Sequence, residues 1–186
     1  MNKSIMPNKE ITIITSFSKK LWEIYGKDCI STWLKRLPIK DVKIMAWLDG
    51  VWPDDLPKDT RITYKMMDQS PEFIYFLNSS KGMLPPPVQP GHFFRYNFKP
   101  FWRKVFALTE EICNAKVERQ LFVWLDADVK MSKRITYKQL SSVAYGDNLE
   151  FDISWLNRGE PWNCGETGFI GIQANLRTVS LLRSLR

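Results

Sequence analysis

Leu121-Phe-Val-Trp-Leu125 is an unbroken apolar run that leads directly into Asp126-Ala-Asp128. Five consecutive apolar residues bounded by polar ones are typical of a strand that is buried on both faces of a sheet. The two carboxylates that follow are then expected at the rim of that sheet. The sequence therefore predicts a buried strand that ends in a pair of acidic side chains.

Strands alternate with a helix in the chain that precedes this run. Residues 10–16 (Glu-Ile-Thr-Ile-Ile-Thr-Ser) predict one buried strand, and residues 42–48 (Val-Lys-Ile-Met-Ala-Trp-Leu) predict a second. Between them, apolar residues recur every three or four positions, which predicts a helix that Ser18 caps and Pro38 ends. A strand–helix–strand unit of this length is right-handed and parallel in nearly all cases.

The same alternation continues to the end of the chain. The further predicted elements are a strand at 62–66, a helix opened by Ser70-Pro71, an irregular stretch at 79–90, a helix at 96–113, a helix at about 136–145 with a capping box at Thr136 and Gln139, strands at 151–155 and 169–172, and a helix from 176. This order predicts an α/β fold, a mostly parallel central sheet with helices on both faces.

Several polar residues stand at the carboxyl ends of predicted strands, where ligands bind in sheets of this kind. They are Ser16, Asp49, Asp126 and Asp128. Because these strand ends meet at one edge of a parallel sheet, we expect the four side chains to share one crevice.

The composition indicates one soluble domain. The 186 residues are 44% hydrophobic and include eight Trp and eleven Phe, enough for a substantial core. No run approaches the roughly 18 apolar residues of a membrane span, and the N-terminus lacks the apolar stretch of a secretory signal, so we expect a cytoplasmic protein. The net charge of +7 suits phosphate-rich partners such as nucleotide sugars, nucleic acid or an anionic membrane surface.

The three cysteines do not predict a disulfide scaffold or a structural zinc site. Cys29, Cys113 and Cys164 are odd in number, lie far apart and form no CxxC pair. We expect them to be small buried or partly buried thiols.

The acidic pair Asp126 and Asp128 has a specific chemical use. At a spacing of two in an extended chain the side chains point the same way, and like charges held close are unfavourable unless a cation or a proton neutralises them. Mg²⁺ and Mn²⁺ accept carboxylate oxygens and keep positions open for substrate phosphate. Such an ion holds a diphosphate and stabilises its charge as it leaves. The competing interpretation is a pair of solvated loop carboxylates, or caps of the following turn.

Four segments resemble glycosyltransferases of the GT-A type, particularly small ones from bacteria and phages. In chain order they match that family's first strand and helix, donor-side helix, DxD segment and late acceptor-side segment. They are Ile11-Thr-Ile-Ile-Thr-Ser-Phe17 with Tyr25-Gly-Lys27, Arg95-Tyr96 with Lys104-Val-Phe-Ala107, Val123-Trp-Leu-Asp-Ala-Asp128, and Glu166-Thr-Gly-Phe-Ile-Gly171.

The resemblance spans nearly the whole chain and implies a fold, an activity and a cofactor. It implies a single GT-A-like (Rossmann-like) domain over residues 1–186 that transfers a sugar from a nucleotide-diphosphate donor with Mn²⁺ or Mg²⁺ bound. The chain is short for the family and ends inside a predicted helix, so a domain truncated at its C-terminal end is the alternative expectation.

The resemblance also implies donor-side roles for individual residues. Thr15 and Ser16 would line the base and ribose, and Asp49 would accept hydrogen bonds from the same groups. The alternatives are that the two hydroxyls only satisfy backbone groups at the strand end, and that Asp49 with Gly50 forms a turn. Arg95 and Lys104 would contact the diphosphate, whereas the neighbouring Arg103 would point elsewhere on its helix.

For the metal, the resemblance implies Asp128 as a direct ligand, with Asp126 facing the ribose or a metal-bound water. The family often takes a third ligand from further along the chain. His92 is the only histidine and precedes the DxD segment. The third ligand is then a Glu, an Asp or a water, or lies beyond residue 186.

On the acceptor side, an inverting transferase needs a carboxylate base at the acceptor hydroxyl. Glu166 is the first candidate and Asp152 the second, and in a retaining enzyme Glu166 would instead orient the acceptor. Trp155 and Trp162 are candidates to stack on a sugar, although the alternating strand around Trp155 favours packing in the core.

Two other functions compete with this interpretation. A nucleotidyltransferase on a related sheet also uses carboxylates and Mg²⁺, but it usually has a glycine-rich phosphate loop, which Ser16-Phe-Ser-Lys-Lys20 is not. A non-catalytic module that binds nucleotide sugar, glycan or DNA is the second. The acceptor itself stays open among a glycan, a protein side chain and modified DNA.

Overall fold

The computed structural model of the protein describes residues 10–38, 40–50, 54, 56–79, 98–115, 120–146, 151–156 and 166–184. In this part of the chain the strands are β1 (Ile11–Ser18), β2 (Val42–Asp49), β3 (Ile62–Met66), β4 (Leu121–Leu125), β5 (Ile153–Leu156) and β6 (Glu166–Gln173). The helices are α1 (Lys19–Leu21), α2 (Lys27–Arg36), α3 (Pro71–Ser79), α4 (Phe98–Cys113), α5 (Tyr137–Tyr145) and α6 (Leu176–Arg183).

The strands form one mostly parallel sheet in the order β3-β2-β1-β4-β6-β5. β1 is parallel to both β2 and β4, and β2 is parallel to β3, whereas β6 runs antiparallel to β4 and β5. The chain adds strands on one side of β1 and then crosses to β4 on the other, so the strand order reverses between β1 and β4. In open α/β sheets that reversal marks the crevice in which ligands bind.

Helices cover both faces of the sheet, as the sequence predicts. On one face, α2 and α5 pack on Ile13, Val123 and other residues of a buried apolar cluster that includes Trp33. On the other face, α3, α4 and α6 contribute to a second cluster around Ile14 and Phe122. All five residues of β4 are buried, which places this strand in the middle of the core.

Local signals in the sequence specify the helix ends. The Ser18 side chain caps α1 by accepting from Leu21 N at 3.3 Å. Thr136 and Gln139 form the predicted capping box at α5, and Gly146 ends that helix with φ of 77°. These contacts satisfy backbone groups that the helix itself leaves unpaired.

The helix predicted between β1 and β2 is not uniformly α-helical. A π-helical segment at Trp22–Gly26 separates α1 from α2. Phe17 and Trp22 pack edge to face here with ring centroids 5.3 Å apart, and a Cβ on Gly26 would lie 2.8 Å from the Phe17 ring. The wider turn and the missing side chain together accommodate two buried rings against the helix.

The prediction that Trp155 packs in the core is wrong, because 59% of this residue is exposed. Among the strands that the structure describes, β5 is the outermost on its side of the sheet. The thiols follow expectation where the structure describes them, with Cys29 buried and Cys113 half-buried, both free. Cys164 lies outside the described residues.

No helix among the described residues combines the length and the apolar character that crossing a lipid bilayer requires.

An ion pair between Asp59 and Arg61 anchors the approach to β3. The Arg61 guanidinium donates to both carboxylate oxygens of Asp59 and to Leu34 O, at 2.8–2.9 Å. The hydrogen bonds from Arg61 lower the pKa of Asp59 to about 2. The ion pair thereby links the C-terminal part of α2 to the loop before β3.

This depressed pKa predicts a pH dependence of folding stability. Because the folded-state value lies below the unfolded one, the ion pair stabilises fully above about pH 4 and its contribution is lost as the pH falls toward about 2. We expect the stability difference between wild type and Asp59→Asn to shrink by about 1–2 kcal/mol over that interval. Urea unfolding at several pH values measures it. A difference that stays constant with pH would contradict the assigned pKa.

Candidate active site at the carboxyl end of β4

The chain turns as soon as β4 ends. Val129 N donates to Asp126 O at 3.1 Å, which closes a four-residue turn, and Asp126 N donates to Gly168 O of β6 at 2.9 Å. The extended conformation assumed for Asp126-Ala-Asp128 is therefore wrong, since a tight turn carries the two residues. The directions of the Asp126 and Asp128 side chains therefore do not follow from the alternation of side chains along a strand.

The carboxylate of Asp126 is already engaged. Its Oδ1 accepts from Trp124 Nε1 at 2.6 Å and lies 2.8 Å from Lys104 Nζ of α4. The Lys104 ammonium also lies over the Trp124 ring, 5.2 Å from its centroid. The described residues form no hydrogen bond with Asp126 Oδ2, so this oxygen of the carboxylate can accept a further partner.

Asp128 has the opposite character. It is exposed, and the described part of the chain supplies no hydrogen bond or ion pair to its carboxylate. Its negative charge acts on two titratable groups, Tyr25 in the π-helical segment and Cys29 in α2. Burial raises the pKa of Tyr25, and the negative charges of Asp128, Cys29 and Asp126 raise it further. Both carboxylates therefore lie close enough to be sensed by the same phenol.

Helix α2 holds the segment after the turn in place. Trp33, which is fully buried, donates Nε1 to Val129 O at 2.7 Å. Met131 N donates to Thr32 Oγ1 at 3.1 Å, and Ile135 N donates to Arg36 O at the same distance. Three hydrogen bonds with residues 32–36 of α2 thus position the loop that follows Asp128.

Helix α4 spans the carboxyl ends of two strands with adjacent cations. Arg103 Nε donates to Asp49 Oδ2, at the end of β2, over 2.6 Å, while Lys104 contacts Asp126 after β4. Arg103 and Lys104 thus point to different strand ends, because α4 lies across the sheet edge and adjacent residues on a helix point in different directions. The Asp49 carboxylate is paired with Arg103, and the Lys104 ammonium is paired with Asp126. Binding of ribose by Asp49 and binding of diphosphate by Lys104 stay predictions.

The two hydroxyl residues of β1 lie on opposite faces of the sheet. Thr15 alternates with Ile13 and Phe17 on the α2 side and is 0% exposed, and its hydroxyl has no hydrogen-bond partner among the described residues. Ser16, 9% exposed, shares the α4 side with Ile14. Because strand side chains alternate, only one of the pair can face a given crevice, and Thr15 is enclosed.

The structure separates the two candidate bases. β6 pairs Phe169 with Leu125, so its first residue, Glu166, has its backbone at the same edge as Asp126.

Asp152 lies before β5 at the opposite edge, where it binds Asn175 Nδ2 at 2.6 Å and Arg177 Nη2 at 2.7 Å. The length of β4 therefore separates Asp152 from the DxD turn, and of the two candidate bases only Glu166 has its backbone at the same edge as Asp126. Arg95, His92 and Trp162 lie outside the described residues.

The carboxylates of Asp126 and Asp128 suit a cation that binds together with a diphosphate. No cluster of three or more His, Cys, Asp or Glu side chains suitable for a metal occurs among the described residues. Asp128 and Asp126 Oδ2 nevertheless match the one or two carboxylates by which proteins usually hold Mg²⁺ beside substrate phosphates. The residues therefore suit a metal–diphosphate complex better than a free ion.

Comparison with known proteins shows the fold. Neither a protein-family profile nor a curated protein matches the sequence. The apo form of mouse xyloside xylosyltransferase 1 aligns with a TM-score of 0.56 at 12% identity, covering 95% of this chain and 71% of that one. A transferase mutant aligns with a TM-score of 0.47 at 12% identity, covering 95% and 78%. The mostly parallel sheet and the xylosyltransferase alignment confirm the predicted GT-A-like fold.

Proposed function

We propose that this protein is a metal-dependent glycosyltransferase that moves a sugar from a nucleotide-diphosphate donor to an acceptor. The observation that carries the proposal is the exposed Asp128 carboxylate, held beside Asp126 where the buried central strand of a GT-A-like sheet ends. The strand order reverses between β1 and β4, and in open α/β sheets ligands bind at the carboxyl ends of the strands beside such a reversal.

The residues of the chain have separable roles in this proposal. Asp128 and Asp126 Oδ2 would hold Mn²⁺ or Mg²⁺, which would supply the positive charge that stabilises a leaving diphosphate. Lys104 and Trp124 orient Asp126 by occupying its other oxygen. Ser16 and Asp49 stand at neighbouring strand ends for the nucleoside, Arg95 adds a cation for the diphosphate, and Glu166 is the candidate base at the same edge.

The test is release of nucleotide diphosphate from a panel of UDP- and GDP-sugars, with and without Mn²⁺. The panel includes UDP-xylose, because the mouse protein of similar fold is named a xylosyltransferase. We expect slow, Mn²⁺-dependent hydrolysis of at least one donor in the absence of acceptor. Failure to release nucleotide from any donor would contradict the proposal.

A non-catalytic module is the second candidate function. The observation that favours it is the lack of a three-ligand metal cluster among the described residues. It predicts that the protein binds a nucleotide sugar but neither hydrolyses nor transfers it. Calorimetry with the same donors, run beside the hydrolysis assay, separates the two functions.

Replacement of Lys104 by Met tests whether the Lys104 ammonium lowers the affinity of the site for a metal ion. The Lys104 ammonium lies 2.8 Å from Asp126 and repels a second cation there. We expect Lys104→Met to raise the affinity for free Mn²⁺ roughly tenfold, measured by electron paramagnetic resonance without nucleotide.

Lys65 provides a matched control for this variant. It lies 2.8 Å from the Glu111 carboxylate and 5.2 Å from the Trp47 ring centroid, and the Trp47 indole also donates to Glu111. The same trio of side chains thus occurs away from the DxD turn. Lys65→Met should leave Mn²⁺ affinity unchanged. Equal affinities in wild type and Lys104→Met would show that Asp126 takes no part in holding the ion.

A further inference from the structure

Trp155 is a large aromatic side chain left exposed near the candidate active site. It is 59% exposed, although Ile153, two residues earlier on the same face of β5, packs against the cluster that contains Phe122 and Trp124. The sheet face is therefore covered at the start of β5 and becomes accessible at Trp155. Isolated exposed apolar residues are ordinary on protein surfaces. Exposure alone therefore does not indicate a binding site, and the relevant observation is where Trp155 lies relative to the DxD turn.

The register of the sheet connects Trp155 to the DxD turn. Trp155 pairs with Ile170, and Ile170 pairs with Trp124, so the three side chains form one row across three strands. Trp124 in turn donates its indole N–H to Asp126. With adjacent strands about 4.8 Å apart, Trp155 lies about 10 Å from Trp124. Trp155 therefore lies two strands away from β4, the strand that ends in the DxD turn.

An irregularity in the strands occurs at this same point. The register of β5 against β6 shifts between Trp155 and Leu156, and Leu156 then pairs with Glu166. Bulges of this kind redirect side chains and are common beside active sites. The backbone of the candidate base Glu166 is thus paired with the residue that follows Trp155.

From this placement we infer that Trp155 is the platform on which a glycosyl ring of the acceptor stacks. The inference rests on the proposed transferase function and selects a glycan or glycoside among the open acceptors. One face of a pyranose presents C–H groups, which pack on the electron-rich face of an indole, while the hydroxyl groups at the ring edge stay hydrated. A single exposed aromatic ring on a rigid strand suits such a ligand.

The experiment measures binding of p-nitrophenyl β-xyloside, β-glucoside and β-galactoside by saturation-transfer NMR, without a donor present. p-Nitrophenol alone reports any contribution of the aryl group. We expect wild type to bind at least one glycoside more tightly than p-nitrophenol, and Trp155→Ala to weaken that binding roughly tenfold. Trp155→Tyr, which keeps an aromatic face, should retain most of it.

Phe151, two residues before β5, is the matched control. It is 52% exposed and lies beside the start of β4, away from the DxD turn, because Gln173, the partner of Leu121, donates its backbone N–H to the neighbouring Asp152 O. Phe151→Ala should bind the glycosides as wild type does.

The inference is overturned if wild type binds none of the glycosides above the p-nitrophenol level, or if Trp155→Ala binds them undiminished. An equal loss in Phe151→Ala overturns it as well. Donor hydrolysis by wild type is a separate measurement and tests the proposed function alone. Glycoside binding can therefore fail while the transferase function stands, and the reverse outcome is equally visible.

Discussion

Asp128→Asn is expected to weaken Mn²⁺-dependent binding of UDP or GDP by roughly 100-fold or more while the protein stays folded. The carboxylate is exposed and has no hydrogen bond or ion pair within the described residues, so its replacement removes no contact that supports the fold. The amide lacks the negative charge that a dication requires. Calorimetric titration of the nucleotide with and without Mn²⁺ measures the effect, and thermal unfolding checks the fold.

Asp28→Asn is the control for this variant. Asp28 is an exposed carboxylate on α2 that pairs with Lys130 at 2.9 Å, close to the same loop. Like Asp128→Asn, the Asp28→Asn variant removes one negative charge from this region, but it leaves the turn at residues 126–129 unchanged. We expect Asp28→Asn to bind Mn²⁺ and nucleotide as wild type does. Unchanged Mn²⁺-dependent affinity in Asp128→Asn would remove the basis for placing a metal at this edge.

Trp33→Ala is expected to lower the free energy of unfolding by about 3–5 kcal/mol. Trp33 is 0% exposed in the cluster beneath α2, so truncation leaves a large cavity. It also removes the hydrogen bond to Val129 O, which fixes the loop after Asp128. Urea unfolding measures the loss of stability, and the donor hydrolysis assay measures the accompanying loss of activity at temperatures where the variant is folded.

Trp33→Phe separates these two effects. Phenylalanine fills most of the cavity but cannot donate to Val129 O. We expect this variant to lose about 1–2 kcal/mol of stability. Its activity should fall more than its stability suggests, because the loop is no longer fixed. Wild-type activity in Trp33→Phe would show that the Val129 contact does not position Asp128.

Local patterns in the chain were sufficient to predict most elements of the fold. The apolar run 121–125 became β4 with no change of boundary, and residues 62–66 became β3. The capping box at Thr136 and the cap at Ser18 are interactions between residues three apart, so they are visible in sequence. The π-helical segment at Trp22–Gly26 was missed, because it depends on packing against Phe17.

The candidate site was only partly predictable. The position of Asp126 and Asp128 directly after a buried strand was visible in the sequence, whereas the position of the Glu166 backbone at the same edge follows from the antiparallel pairing of β6 with β4. Tyr25 was missed as a neighbour of the carboxylates, since nothing in a helical tyrosine's sequence context signals proximity to a distant turn. Asp152 was the second candidate base after Glu166, and only the pairing of the strands shows that it lies at the opposite edge of the sheet.

The amino-acid sequence by itself determined the alternation of strands and helices, the burial of β4 and the arrival of two carboxylates at its end, because hydrophobic periodicity and capping act over a few residues. Only the tertiary structure decided which groups surround those carboxylates. The pairing of Lys104 with Asp126, of Arg103 with Asp49 and of Trp33 with Val129 joins segments 22 to 96 residues apart. Such contacts follow from how helices dock on the sheet, and docking depends on side-chain packing over the whole core.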